Sequence, residues 1–311
     1  MKKLSGWTAV AILAIALGAA CPALAFDKIV VGYTAVSGNA PDFIAQDQGF
    51  FKKHGLDVEI QLVRGGNVLV PSMVANSIQI GTLTTATMVQ AADGGIDLVA
   101  LTNMSTFDLG MKESAIIVRK GANIKTPADL KGKRVGTSTV GGISEIMFDK
   151  WLTLKGINPK DVTVVEVAYA EMPDVIKAGN LDAVLIPDPF LSAIVAAGTG
   201  DVLSYYIGEI ADHISSIVNA STRGWADAHP KEIAAFRAAI DEAVAFRKAE
   251  PDKTKEIIGK TLNLKPEVMA KTSLPSLTSK ITPADISWWL DTMNAQDRLR
   301  SKLDAAKLIA P

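Results

Sequence analysis

An internal repeat constrains this chain more than any other feature. An apolar run at 29–33, a polar turn at Ser37-Gly38-Asn39, an amphipathic stretch at 41–53 and Gly55-Leu56 lead into a second apolar run at 58–63. The same order returns later: a strand at 134–136, a small-residue turn at 137–142, helical spacing at 144–154, a stop at Gly156-Ile157 and the next strand at 162–167. The stretch PSMVANSIQIGTLTTATMVQA from Pro71 then lines up with PDVIKAGNLDAVLIPDPFLSA from Pro173. Each half therefore reads strand, turn, helix, strand, turn, helix, strand. Alternation with short connections calls for right-handed crossovers and a mainly parallel sheet. Two such sets predict a two-lobed α/β protein, each lobe a mainly parallel sheet flanked by helices. One continuous doubly wound sheet is the competing architecture.

The crossings between lobes are expected at 115–118, after the polar stretch 102–113, and at 214–219 on the return. This divides the chain into a leader at 1–25, the first part of lobe 1 at 26–110, lobe 2 at 111–218, and a return to lobe 1 with C-terminal helices at 219–311. Helical spacing predicts helices at 230–248, 252–260, 266–271 and 283–299. Thr282-Pro283-x-Asp285 and Thr126-Pro127-x-Asp129 each place a capping hydroxyl before an N1 proline, with a carboxylate in the first turn. Trp225, Trp288 and Trp289 are read as packing residues rather than ligand stackers.

Lys2 and Lys3 precede a short apolar run that ends in Ala23-Leu24-Ala25, the pattern of a cleaved secretory signal. Cys21 as a lipid anchor is the competing reading, but Gly18 stands where a lipobox places Leu or Val. Cleavage after Ala25 would remove the single cysteine, so stability has to come from packed cores, which the 48% hydrophobic content can supply. A net charge of -1 and the lack of a long basic run argue against nucleic acid or an anionic membrane as partner.

In open parallel sheets, ligands lie outside the carboxyl ends of the strands, where helix N-termini point unpaired amides outward. Small polar residues collect at those positions. They are Ser37, Gly38 and Asn39 after strand one, Gly65, Gly66 and Asn67 after strand two, and Thr82, Thr84 and Thr85 after strand three. In the second half they are Thr137, Ser138, Thr139, Gly141 and Gly142, then Pro187 and Asp188. Hydroxyls and amides without an obligatory charge suit a small anion. Turn and cap chemistry alone would use the same residues. Asp188-Pro189 reads either as an N-cap with proline at N1 or as a partner for a ligand ammonium. No catalytic, metal or cofactor set emerges. Val140 breaks the nucleophile-elbow pattern, no Gly-Lys-Ser/Thr follows the glycines, and His54, His213 and His229 are scattered.

Four segments carry a resemblance: VGYTAVSGNAPDFIAQDQGFFKKHGLDVEI, the GGN at 65–67, KTPADLKGKRVGTSTVGG from Lys125, and AGNLDAVLIPDPF from Ala178. Together they resemble the taurine-, sulfonate- and nitrate-type solute-binding proteins of ABC importers, a group related to thiamine-pyrimidine synthases. The resemblance implies a periplasmic-binding-protein type II fold whose lobes close about a two-strand hinge. It also implies a periplasmic, monomeric receptor, without cofactor, that serves a permease and a cytoplasmic ATPase. Ligand contacts are then expected at Ser37, Gly38, Asn39, Thr84, Thr85, Thr139, Gly141 and Asp188, beside Gly66, Asn67 and Thr137 from the loop reading. A sulfonate or taurine fits such a site; nitrate, an aromatic carboxylate or a pyrimidine stay open. The synthase branch would require clustered cysteines and histidines, which the chain lacks.

Overall fold

The structure, a computed structural model, describes residues 28–63, 66–210 and 212–311. The expected leader at 1–25, Arg64 and Gly65 lie outside the described residues. The first half runs β1 (Ile29–Tyr33), α1 (Ala40–Asp47), α2 (Phe50–Lys53), β2 (Val58–Leu62), α3 (Gly66–Val74), β3 (Ile80–Thr84), α4 (Thr85–Asp93) and β4 (Leu98–Phe107). The second runs β5 (Ser114–Arg119), β6 (Arg134–Thr137), α5 (Ile143–Leu154), β7 (Thr163–Glu166), α6 (Met172–Lys177), β8 (Ala183–Pro187), α7 (Phe190–Ala197) and β9 (Gly200–Ser204). Then follow β10 (Ile214–Thr222), α8 (Arg223–Ala228), α9 (Pro230–Ala249), α10 (Pro251–Thr261), α11 (Pro266–Lys271), β11 (Ser276–Leu277) and α12 (Pro283–Asn294).

The repeat is visible in the topology. One sheet contains the parallel trio β2-β1-β3, the other the parallel trio β7-β6-β8. Each trio continues into antiparallel strands, β10, β4 and β11 in the first sheet and β5 and β9 in the second. The sheets are thus mixed, because only the crossovers within a half generate parallel neighbours, while β10 and β5, which enter beside the trios after the chain has crossed between sheets, run the other way.

Equivalent residues solve equivalent problems in the two trios. A methyl group on Gly32 of β1 would fall 2.5 Å from Leu69 and 2.8 Å from Ile78; on Gly136 of β6 it would fall 2.6 Å from Leu181 and 3.1 Å from Val184. Glycine at these two positions lets the neighbouring side chains approach the strand backbone. Gln79 accepts a hydrogen bond from the Val30 amide at 2.8 Å, and Asp182 accepts one from the Arg134 amide at 3.0 Å.

Three apolar cores hold the molecule. One lies under the first sheet, where Phe51 stacks on Phe236 at 5.4 Å and Phe43 and Ile240 are buried. One lies under the second sheet, built from Met172, Ile176, Ile186 and Leu191. The third reaches across both sheets, from Leu83 and Met88 to Phe148 and Trp151, and includes Ile286, Trp289 and Met293 of α12. The Trp289 indole N–H donates to the Ser215 carbonyl at 2.6 Å, anchoring α12 on β10. Burying side chains of this size stabilises by about 1.5–3 kcal/mol each.

Two helices differ from expectation. The stretch 41–53 divides at Gly49, whose φ of 72° ends one helix before the next begins. Helical spacing continues to residue 299, yet α12 stops at Asn294. There Asp297 adopts φ 55° and the Arg298 amide reaches back to the Met293 carbonyl at 2.9 Å, a Schellman-type termination. None of the described helices is long and apolar enough to cross a membrane.

Candidate functional site

β1, β3, β6 and β8 lead into small polar residues at their carboxyl ends, and α1, α4 and α5 begin just beyond β1, β3 and β6. On the first sheet the loop after β1 forms a short 3-10 turn, Ser37–Asn39, that is buried rather than open. Gly38 is required there, since a methyl group would fall 2.5 Å from Ile217 and 2.9 Å from the Ser105 hydroxyl. Asn39 donates to the Thr34 carbonyl at 2.6 Å. Thr84 caps α4 by accepting from the Thr87 amide at 3.0 Å. Thr85 is fully buried, and its hydroxyl meets Ser215 at 2.9 Å; Ser215 in turn donates to Asn103 at 3.1 Å. Thr82, expected after β3, lies within it and donates to the Gly32 carbonyl. Gly66 opens α3, and Asn67 is exposed in its first turn.

On the second sheet, Thr137 ends β6 with its hydroxyl buried and unpartnered among the described residues, while Thr139 is exposed. Gly141 has φ 77°, a backbone region where a side chain would strain. The expectation of bare amides in this loop needs correction. The Val140 amide donates to Glu166 at 3.1 Å, the Gly141 amide to Glu145 at 2.8 Å, and the Gly142 amide to the Thr139 carbonyl at 3.0 Å. The chain's own carboxylates hold the loop, leaving the first-turn amides of α5, from Ile143 to Glu145, without an intrahelical partner. Glu145 is the first-turn acid of α5, the one local signal that would have foretold this.

Asp188 takes a capping role, with one difference from its reading. α7 starts at Phe190, so Pro189 is not its first residue. One carboxylate oxygen accepts from the Ser192 amide at 2.9 Å and hydroxyl at 2.6 Å; the other accepts from the Ser273 amide at 3.0 Å. Asp188 therefore caps α7 and ties it to the segment after α11. Burial pushes the carboxyls of Asp188 and Glu113 above the usual carboxylate range.

Side chains far apart in sequence join the two halves beside the α5 loop. Gln90 donates to the Gly141 carbonyl at 2.7 Å and Gln296 to the Ile146 carbonyl at 2.9 Å. Arg298 reaches both Glu145 and Asp149 at 2.6 Å, with all three side chains largely buried. Such long-range partners leave no trace in local spacing.

The chain passes between the sheets after β4 and again before β10; there Asp108, Asp212 and His213 converge, with one ligand atom each within 4.8 Å of the others. His213 faces Asp108 through Nδ1 at 2.9 Å and Asp212 through Nε2 at 3.6 Å. Both ring nitrogens of His213 are thus turned toward carboxylates. His54 closes α2 and meets Glu242 at 2.8 Å, and His229 stacks on Trp225 at 4.5 Å.

The architecture has close counterparts among solved structures. The aliphatic sulphonate-binding protein SsuA of Escherichia coli superposes with a TM-score of 0.76 over 91% of this chain and 92% of that one, at 22% identity. The nitrate-binding protein NrtA of Synechocystis does so with a TM-score of 0.73 over 90% and 84%, at 17% identity. At such identities the likeness establishes the periplasmic-binding-protein fold. The family description "NMT1/THI5 like" matches residues 37–254. The chain belongs to the NMT1/THI5-like family. A relative in Brucella abortus, named only as a binding protein, is 26% identical over 287 residues, covering 88% of this chain and 87% of its own. The NMT1/THI5-like match begins at Ser37, at the first polar loop just after β1, and runs through the rest of both parallel trios into α10.

Proposed function

We propose that this protein is the periplasmic solute-binding component of an ABC importer and not an enzyme. It captures a small organic anion between its two lobes and presents the closed form to a permease served by a cytoplasmic ATPase. The observation that carries this reading is the duplicated trio: both sheets place polar residues and helix N-termini at the carboxyl ends of parallel strands, and the chain passes between the sheets twice. Helix N-termini solvate a negative group without a permanent cation that would itself need desolvation. Two covalent crossings form a hinge about which the lobes can close. The relatives named for sulfonate and nitrate binding support an anionic cargo, as do the free first-turn amides of α5 and the exposed Thr139.

A thermal-shift screen of the purified mature protein against sulfonates, nitrate, carboxylates and pyrimidines tests the reading. A ligand at a hundred times its dissociation constant adds about 2.7 kcal/mol of stability. A saturable shift with one class of anion is expected. Shifts only with uncharged or cationic solutes would contradict the anion, and hydrolysis or conversion of any bound solute would contradict the receptor.

A further inference from the structure

Beside the polar loops, apolar and aromatic side chains stand partly or largely exposed near the strand ends of both sheets. Tyr169, in the loop after β7, and Phe190, at the start of α7, stack with ring centroids 5.5 Å apart and planes 27° apart. Both rings remain half-buried, resting on the apolar core under the second sheet. The stacked pairs Phe51–Phe236 and Phe148–Trp151, in contrast, are closed within cores. The Tyr169 hydroxyl lies 3.4 Å from that of Ser144, in the first turn of α5, so the aromatic pair adjoins the helix N-terminus. Val140, in the loop after β6, is 54% exposed. On the first sheet, Leu62 at the end of β2 and Val68 in the first turn of α3 are 57% and 49% exposed. Ligand sites combine apolar and aromatic walls with a few placed polar groups, and apolar side chains gathered at one end of both sheets fit that description.

We infer that the cargo is a planar aromatic acid, its ring laid against the Tyr169–Phe190 stack and its acidic group at the N-terminus of α5. A third ring added to a stacked pair gains contact area and a favourable quadrupole arrangement, which an alkyl chain of similar size lacks. The Tyr169 hydroxyl, beside Ser144, supplies a donor at the junction of ring and acid. This inference rests on the anion-receptor reading above.

The test is isothermal titration of the mature protein with two matched pairs, benzoate against propionate and benzenesulfonate against ethanesulfonate. The wild type is compared with Tyr169→Leu and Phe190→Leu, which keep apolar bulk and remove the ring. Melting temperatures confirm that the variants fold, and Tyr169→Phe separates ring from hydroxyl. The aromatic member of at least one pair is expected to bind tenfold or more tightly, with both leucine variants losing that advantage and Tyr169→Phe keeping most of it. Equal or tighter binding of the alkyl member, or an aromatic preference that survives both leucine variants, overturns the inference and leaves the receptor reading intact. Binding by none of the four anions also overturns the inference, while a thermal shift with nitrate or another anion would still uphold the receptor reading.

Discussion

The loops at the strand ends of the two sheets descend from one repeated pattern yet use their polar groups differently. On the first sheet, Ser37, Asn39 and Thr85 turn inward and engage the long antiparallel strands; Thr85 meets Ser215 of β10, and Asn219 of β10 donates to Asp42 at 3.1 Å. On the second sheet, the loop stays outside, with Thr139 and Val140 exposed and Glu145 and Glu166 holding its amides. The first set is built into the strands that join the lobes, and the second is fixed by carboxylates while its surface remains free.

The largest expected effect breaks the tie beside the second loop. Arg298→Met leaves Glu145 and Asp149 buried without their cation, a loss of about 3–5 kcal/mol. Denaturant unfolding should show it, and an unchanged midpoint would mean that the carboxylates find water.

The next separates the faces by pH. Asp42, buried at the start of α1, has its carboxyl pushed up to about 7 by burial, opposed by the Asn219 amide. Its second oxygen and the side-chain oxygens of Asn39 and Asn219 have no donor among the described residues, and a proton on Asp42 supplies one. The folded state then binds more protons than the unfolded chain. This contribution is complete below the unfolded value of 3.8 and is lost as pH rises to about 7. Over that window it amounts to about 4 kcal/mol. Asp42→Asn should flatten this part of the pH–stability curve and make the variant the more stable form at pH 8. A parallel curve for the variant would show that Asp42 is ionised in the fold.

A smaller effect tests the repeat itself. Gly32→Ala and Gly136→Ala should each cost about 1–3 kcal/mol by overpacking against Leu69 and Leu181. Similar losses support equivalent positions, whereas a neutral substitution at one would show that its neighbours give way. The smallest effect is at Thr137→Val, which replaces an unpartnered buried hydroxyl by a methyl group of like shape. Stability within about 1 kcal/mol of wild type is expected, so any fall in ligand affinity by calorimetry would reflect lost contact.

The repeat, the strands and most helix starts were legible because they rest on local periodicity and cap chemistry. Thr282 and Asp285 form the capping box that their spacing announced. The mixed character of the sheets was not legible, since β5 and β10 are inserted beside trios distant in sequence. The same holds at the site. Residues at the strand ends could be named from order alone, but whether Asn39 points inward, or whether Asp188 meets Ser273, depends on partners up to 177 residues away in the case of Asp42 and Asn219. Tyr169 and Phe190 could not be told from core aromatics, because half-burial is a property of the assembled surface.

Amide hydrogen exchange with and without a solute that raises the melting temperature would test most directly whether both sets of strand ends form one ligand site. Slowed exchange is predicted at 36–39 and 84–87 in the first lobe and at 138–145 in the second, with α9 and α10 unchanged. Protection confined to one lobe, or centred on the surface hollow of about 380 Å³ beside β5 and β9, would contradict a site shared between the lobes.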